Sequence, residues 1–141
     1  MESVIAHTNE SADVRLAVGI GCRRGTHADA IERAVRGALG TRAMADIAIV
    51  ASIEAKREEA GLRAFCERHR LALRFFSVDD IARAPRTSVS HHVLRHMNVD
   101  GVCEPCALLA GNARTLIVPR TIDCGVTVAI ATMHAPGANG T

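Results

Sequence analysis

The chain has no tryptophan, no tyrosine and only three phenylalanines. The aromatic platforms on which single-stranded nucleic acids and RNA-binding sheets stack bases are therefore missing. An excess of one charge sign is missing too. Seventeen basic residues stand against 15 acidic ones, a net charge of +2, with no basic stripe to follow a phosphate backbone. Nucleic acid is excluded as a partner on both counts. No apolar run reaches the roughly eighteen residues that mark a membrane span, and Met1 to Ser11 are polar, without the apolar stretch of a signal peptide. A cytoplasmic protein with no membrane partner is the expectation. The cysteines number five, an odd count in a chain whose 48% apolar content is enough for a core, so reduced thiols are expected rather than a disulfide framework.

Lysine is nearly absent as well: Lys56 is the only one among the 17 basic residues, and the other sixteen are arginine. Genomic base composition accounts for such a skew. So does a need for planar forks that hold carboxylate or phosphate bidentately, which arginine supplies and lysine does not.

With 141 residues the chain is the length of one domain, able to bury about two thirds of its unfolded surface. Residues 1–13 and 133–141 read as tails with little to bury, leaving one domain over 14–132. Val14 to Ile20 predicts a buried strand. Ile31, Ala34, Val35, Ala38 and Leu39 form the apolar stripe of a helix stopped by Gly40, with Thr26 and Asp29 as a candidate cap. Ile47 to Ala51 is a second strand. Leu62, Phe65, Cys66 and His69 mark a second helix, and Leu71 to Phe76 a third strand. Ser77 to Ala84 reads as a short helix or turn, Val89, Val93 and Met97 as a helix, and Pro105 to Ala110 as another short one. Thr115 to Val118 and Val126 to Ala131 complete the strands, with the seven residues from Pro119 to Gly125 closing a hairpin. The alternation predicts an α/β fold: a single three-layer domain with a mostly parallel sheet of about five strands flanked by helices, ending in a hairpin-like strand pair.

The strongest local signal is Gly19-Ile20-Gly21-Cys22-Arg23-Arg24-Gly25-Thr26, lying between a predicted strand and a predicted helix. Glycines there let backbone approach a ligand, and the helix start offers unpaired N–H groups to an anion. It is not a dinucleotide fingerprint, which wants glycine where Arg24 stands and an acid where Ser52 stands. Nor is it a Walker loop, since no Gly-Lys-Ser/Thr follows. The other account of these residues is a tight turn with solvent-facing arginines. A second cluster, Ala51 to Leu62 with Ser52, Lys56 and Glu59, follows the second strand and falls at the same sheet edge. Cys103-Glu104-Pro105-Cys106 is a lone CxxC. Zinc would need further ligands, for which only His91, His92 and His96 lie near, and no metal is expected. The two cysteines read as small residues packing a helix on the sheet, and Cys22, beside Arg23, as the better candidate for a reactive thiol.

At these same residues the chain resembles a known family, the CobE proteins of cobalamin biosynthesis and the homologous C-terminal domain of CbiG. The resemblance is carried by Gly19 to Thr26, by Ala51-Ser52-Ile53 with Lys56, Glu59, Gly61 and Leu62, and by Leu73 to Ser77. It continues through Gly101-Val102-Cys103-Glu104 with Ala107-Leu108-Leu109, and through Val118-Pro119-Arg120 with Val126 to Ala131. Cys106 and Arg120 depart from the family's common alanine and lysine. The resemblance implies a small α/β domain acting on corrin-ring precursors, and a stand-alone form without the N-terminal portion of the CbiG fusions, where the reaction is opening of a ring lactone with loss of acetaldehyde. Precursors ringed by acetate and propionate carboxylates suit a site made of Gly19, Gly21, Cys22, Arg23, Arg24, Gly25, Thr26, Ser52, Lys56 and Arg120, with no cofactor. Three roles follow: an accessory or carrier protein for a precorrin-type tetrapyrrole; a lactone hydrolase, with Glu59, Glu104 and Cys22 as candidate catalytic groups; or an interaction subunit of another cobalamin-pathway enzyme.

Overall fold

The computed structural model describes residues 14–84 and 99–133. The expected tails, apart from Met133, and the helix expected around Val89, Val93 and Met97 lie outside the described residues, as do His91, His92 and His96. The elements are β1 (Leu16–Gly21), α1 (Ala28–Leu39), β2 (Ile47–Ile53), α2 (Ala60–His69), β3 (Ala72–Phe76), α3 (Val78–Ala82), α4 (Val99–Gly111), β4 (Leu116–Asp123) and β5 (Val126–Thr132). They form the α/β domain that the alternation implies. A five-stranded sheet runs in the order β3-β2-β1-β5-β4, parallel through β3, β2 and β1 and antiparallel from β1 to β5 and β5 to β4.

All six residues of β1 are buried, as its central place requires. Its side chains alternate between two cores. Leu16, Val18, Ile20 and Cys22 join Ile31, Val35 and Leu39 of α1 and Leu62, Phe65 and Cys66 of α2 on one face. Ala17 faces the other way, with Ala51, Ile53 and Phe76 of the sheet against Ile81 of α3 and Val102, Cys106 and Ala110 of α4. The α4 face is built of small residues, so helix and sheet come close together. At Gly19 an added Cβ would overlap the Cys103 carbonyl oxygen. Gly19 thus serves the contact between helix and strand and does not open the backbone to a ligand.

Several expected boundaries shift for physical reasons. The helix begins well before Pro105 and runs through it; the lost amide bond is outweighed by burial of nearly the whole helix. Asn112, with a positive φ of 54°, closes it in a six-residue return, the Ala113 N–H donating to the Leu108 carbonyl at 3.0 Å. The expected seven-residue hairpin loop contracts to two residues. Cys124 and Gly125, at φ 55° and 78°, make the tight turn, and β4 continues through Pro119 and Arg120 to Asp123. Nor does Thr26 cap α1: the N-cap is His27, and the Thr26 hydroxyl donates to the Arg23 carbonyl at 2.6 Å.

Candidate functional site

The C-terminal ends of the parallel strands β1 and β2 lie side by side, Gly19 in register with Ala51. Each strand leads into a helix on the same face, so α1 and α2 both begin at this edge. The loop from Cys22 to His27 comes off β1. The short 3₁₀ turn Glu54–Lys56 comes off β2.

Two buried hydroxyls fix the end of β1. Ser52 donates to the Ile20 carbonyl at 2.7 Å, and Thr127 of β5 to the Gly21 carbonyl at 3.3 Å. Ser52 is thereby placed as a strap between strands, fully buried, and Gly21 as a buried strand end. Beyond them the loop turns at Gly25, whose φ of 79° suits glycine. The Gly25 N–H donates to Glu59 Oε1 at 3.0 Å, across from the loop that ends β2. The other carboxylate oxygen of Glu59 lies 4.0 Å from the Lys56 ammonium, and both side chains are largely covered, 14% and 16% exposed. Gly61, one turn into the cluster, has no room for a side chain because a Cβ would overlap the Thr26 carbonyl oxygen.

These contacts shape a pocket of about 400 Å³ lined by Gly25, Thr26, Ala28 and Glu59 together with Ala60 and Gly61. Both helix starts open onto it. Neither N-cap residue, His27 of α1 nor Glu59 of α2, bonds its own helix amides through its side chain. The first residues of both helices therefore line one cavity, neither helix with a side-chain bond from its own N-cap residue, with Asp29 in the first turn of α1 and the Glu59 carboxylate in the cavity wall. Arg24 precedes Gly25 and is exposed, and Arg23 has its side chain beside Gly125 of the β4–β5 turn; neither is among the residues that line the pocket. Among the described residues neither arginine is in an ion pair.

The structure thus brings together Gly25, Thr26, Lys56 and Glu59, with Arg23, Arg24 and Cys22 next to them. Cys22 is fully buried. Burial pushes its thiol up, against the opposing pull of the nearby Lys56 ammonium, which disfavours the thiolate a nucleophile requires. Arg120 and Glu104 stand apart. Arg120 is in β4 and not in a loop, and its N–H donates to Glu104 Oε2 of α4 at 2.9 Å, where the β4–β5 register shifts around Pro119. Glu104 is 4% exposed and holds this irregular strand segment. Burial pushes the Cys103 thiol up to about 12 and raises that of Cys106 also, as befits small core residues. Among the described residues no group of three or more histidine, cysteine or acidic side chains is placed to hold a metal. No described helix is long and apolar enough to cross a membrane.

Sequence reasoning placed the cluster from Ala51 to Leu62 at this edge but left Ala28, Ala60 and Gly61 out of the expected ligand-binding residues. The signal was Gly61 in a helical stretch, where glycine costs about 1 kcal/mol against alanine and so marks a packing need.

Residues 16–131 match the family described as Cobalamin synthesis G C-terminus. The chain is 29% identical over 118 residues to the cobalt-precorrin-5A hydrolase of Priestia megaterium, covering 82% of this chain but only 32% of that protein. It is 30% identical over 125 residues to the protein CobE of a Sinorhizobium species, covering 85% of this chain and 81% of the relative. The crystal structure of CobE, a protein from the cobalamin biosynthetic pathway, superposes with a TM-score of 0.72 at 30% identity, covering 86% of this chain and 92% of that one. The chain spans about a third of the length of the hydrolase it resembles and most of the length of CobE.

Proposed function

The chain belongs to the cobalamin synthesis G C-terminus family of cobalamin biosynthesis, and on that premise we propose that it binds a polycarboxylate corrin-ring precursor as an accessory or carrier protein. The observation that carries this reading is the convergence, on the pocket between Gly25 and Gly61, of two helix N-termini that lack a side-chain bond from their own N-cap residues. Such ends favour anions. A corrin precursor presents acetate and propionate carboxylates around its rim. One arm enters the pocket, and Arg24, exposed and next to Gly25 in the chain, takes another in the bidentate manner of guanidinium. The site holds the rim and stacks on nothing, consistent with the missing Trp and Tyr.

The arrangement favours binding over hydrolysis. Glu59 is already engaged by the Gly25 N–H and lies by Lys56, Glu104 is buried against the Arg120 N–H on the α4 side of the sheet, and the Cys22 thiol is buried. Without a ligand, each of the three candidate catalytic groups is engaged or buried.

Titration of the protein with corrin-pathway intermediates, followed by absorbance and then by mass analysis, tests the reading. A spectral change with unaltered ligand mass is expected, and Arg24→Ala weakens it by about tenfold, one charge-assisted contact. Release of a two-carbon fragment would make the domain a hydrolase. No change with any intermediate would leave the role of interaction subunit.

A further inference from the structure

The pocket already holds a carboxylate, and it is the protein's own. Glu59 occupies the N-cap position of α2, where a short side chain such as Asp or Ser would bond the amides of its own helix. It makes no such bond. Its carboxylate instead turns to the Gly25 N–H at 3.0 Å and to the Lys56 ammonium at 4.0 Å, and Glu59 lines the pocket. A backbone donor and a cation are what an entering carboxylate would need, and Lys56 is the chain's one lysine, a compact charge beside a half-buried acid.

We infer that Glu59 is the specificity-determining residue of this pocket: its carboxylate occupies the ligand's carboxylate position and binding proceeds by exchange, so that only a ligand bringing several carboxylates displaces it. The inference rests on the reading of the pocket as a polycarboxylate site. Exchange leaves the positive groups paired in both states, since Gly25 N–H and Lys56 pass from the internal acid to the external one. A ligand with one carboxylate gains nothing by this trade. A polycarboxylate ring gains through another arm on the exposed Arg24, and through the two helix starts. The displaced Glu59 remains close by as a like charge, which a single arm does not offset.

Glu59→Gln separates exchange from a merely structural bridge, because the amide oxygen still accepts the Gly25 N–H while the negative charge is gone. With uroporphyrin as the polycarboxylate probe, this variant is expected to bind about tenfold tighter than the unaltered chain at low salt, the order for removing one like charge a few ångströms away in a half-wet cleft. The gain shrinks as salt is raised. Exchange also moves the Gly25 N–H resonance of the unaltered chain when uroporphyrin binds, whereas a structural bridge that the ligand leaves in place keeps it where it was. If Glu59→Gln unfolds, Glu59→Ala serves: it removes the charge together with the Gly25 contact, and tighter binding is again expected. Equal or weaker affinity in the folded variant, with Arg24→Ala still weakening the unaltered chain, overturns the exchange and leaves the binding role standing. Failure of every form to bind the probe overturns both.

Discussion

The same substitution at two helical glycines should have opposite effects, and the structure sets both signs. Gly37 lies on the exposed face of α1, where an added Cβ meets nothing within 4 Å. Gly37→Ala therefore shows the plain helix preference and stabilises by about 0.5–1 kcal/mol. Gly61 is also helical, so the same preference applies, but its Cβ would overlap the Thr26 carbonyl oxygen and lie 3.2 Å from the Ala28 nitrogen. Both are backbone atoms that cannot rotate away. Forcing the β1–α1 loop off the start of α2 costs about 1–3 kcal/mol as overpacking does elsewhere, which leaves a net loss of about 1–2 kcal/mol. For a domain of this size that lowers Tm by about 3–8 °C. Urea and thermal unfolding of the two variants beside the parent give both numbers. Gly61→Ala should also weaken polycarboxylate binding, since the loop that moves carries the Gly25 N–H. A Gly61→Ala protein as stable as Gly37→Ala would refute the close contact that shapes the pocket.

Three further outcomes follow from contacts elsewhere. Glu32 receives hydrogen bonds from His69, Arg68 and Arg36, and these hold its carboxyl at about 2 against an ordinary 4.5. A depressed carboxyl stabilises the fold above its unfolded value and ceases to as it is protonated. Glu32→Gln should therefore cost about 1–2 kcal/mol at neutral pH, a difference that fades as pH falls from about 4.5 to 2 in unfolding curves. Arg70 closes α2 in the left-handed region at φ 56°; Arg70→Gly should stabilise by up to about 1 kcal/mol in denaturant, and a loss would argue that its side chain contributes there. Of the five cysteines only Cys124 is exposed, and burial pushes Cys66 up to about 12. Brief alkylation of the native protein should add one label by mass, at Cys124, and rapid labelling of Cys22 would contradict its burial.

The order of strands and helices was legible because the apolar patterns are local. The stripe from Ile31 to Leu39 and the runs in β1, β2 and β5 each declare their period without help from the rest of the chain. Of the α4 helix only the part from Pro105 to Ala110 was legible, because its small residues and Pro105 carry little local preference and its first half is held by contact with Ala17, Gly19 and the rest of the sheet. β4 was cut short for a related reason. Pro119 looks like a loop residue until the Arg120 N–H finds its partner in Glu104, 16 positions away. Of the site, the loop from Arg23 to Thr26 with Lys56 was visible as chemistry. Ser52 and Gly19 were chosen for the right neighbourhood and the wrong task, since Ser52 straps Ile20 and Gly19 makes room for Cys103. Arg120 was placed in a loop that the two-residue turn at Cys124 and Gly125 removes. Pairings across the sheet decide all three, and sequence spacing does not record them.

The central claim is that a polycarboxylate ring is held where the two helices begin. Amide NMR of the labelled protein during titration with uroporphyrin tests it most directly. The account predicts that the N–H resonances of Gly25, Ala28, Ala60 and Gly61 shift together and saturate with a single affinity, while that of Arg120, held by Glu104 on the α4 side, stays in place. Saturable binding that leaves those four amides unmoved would contradict it.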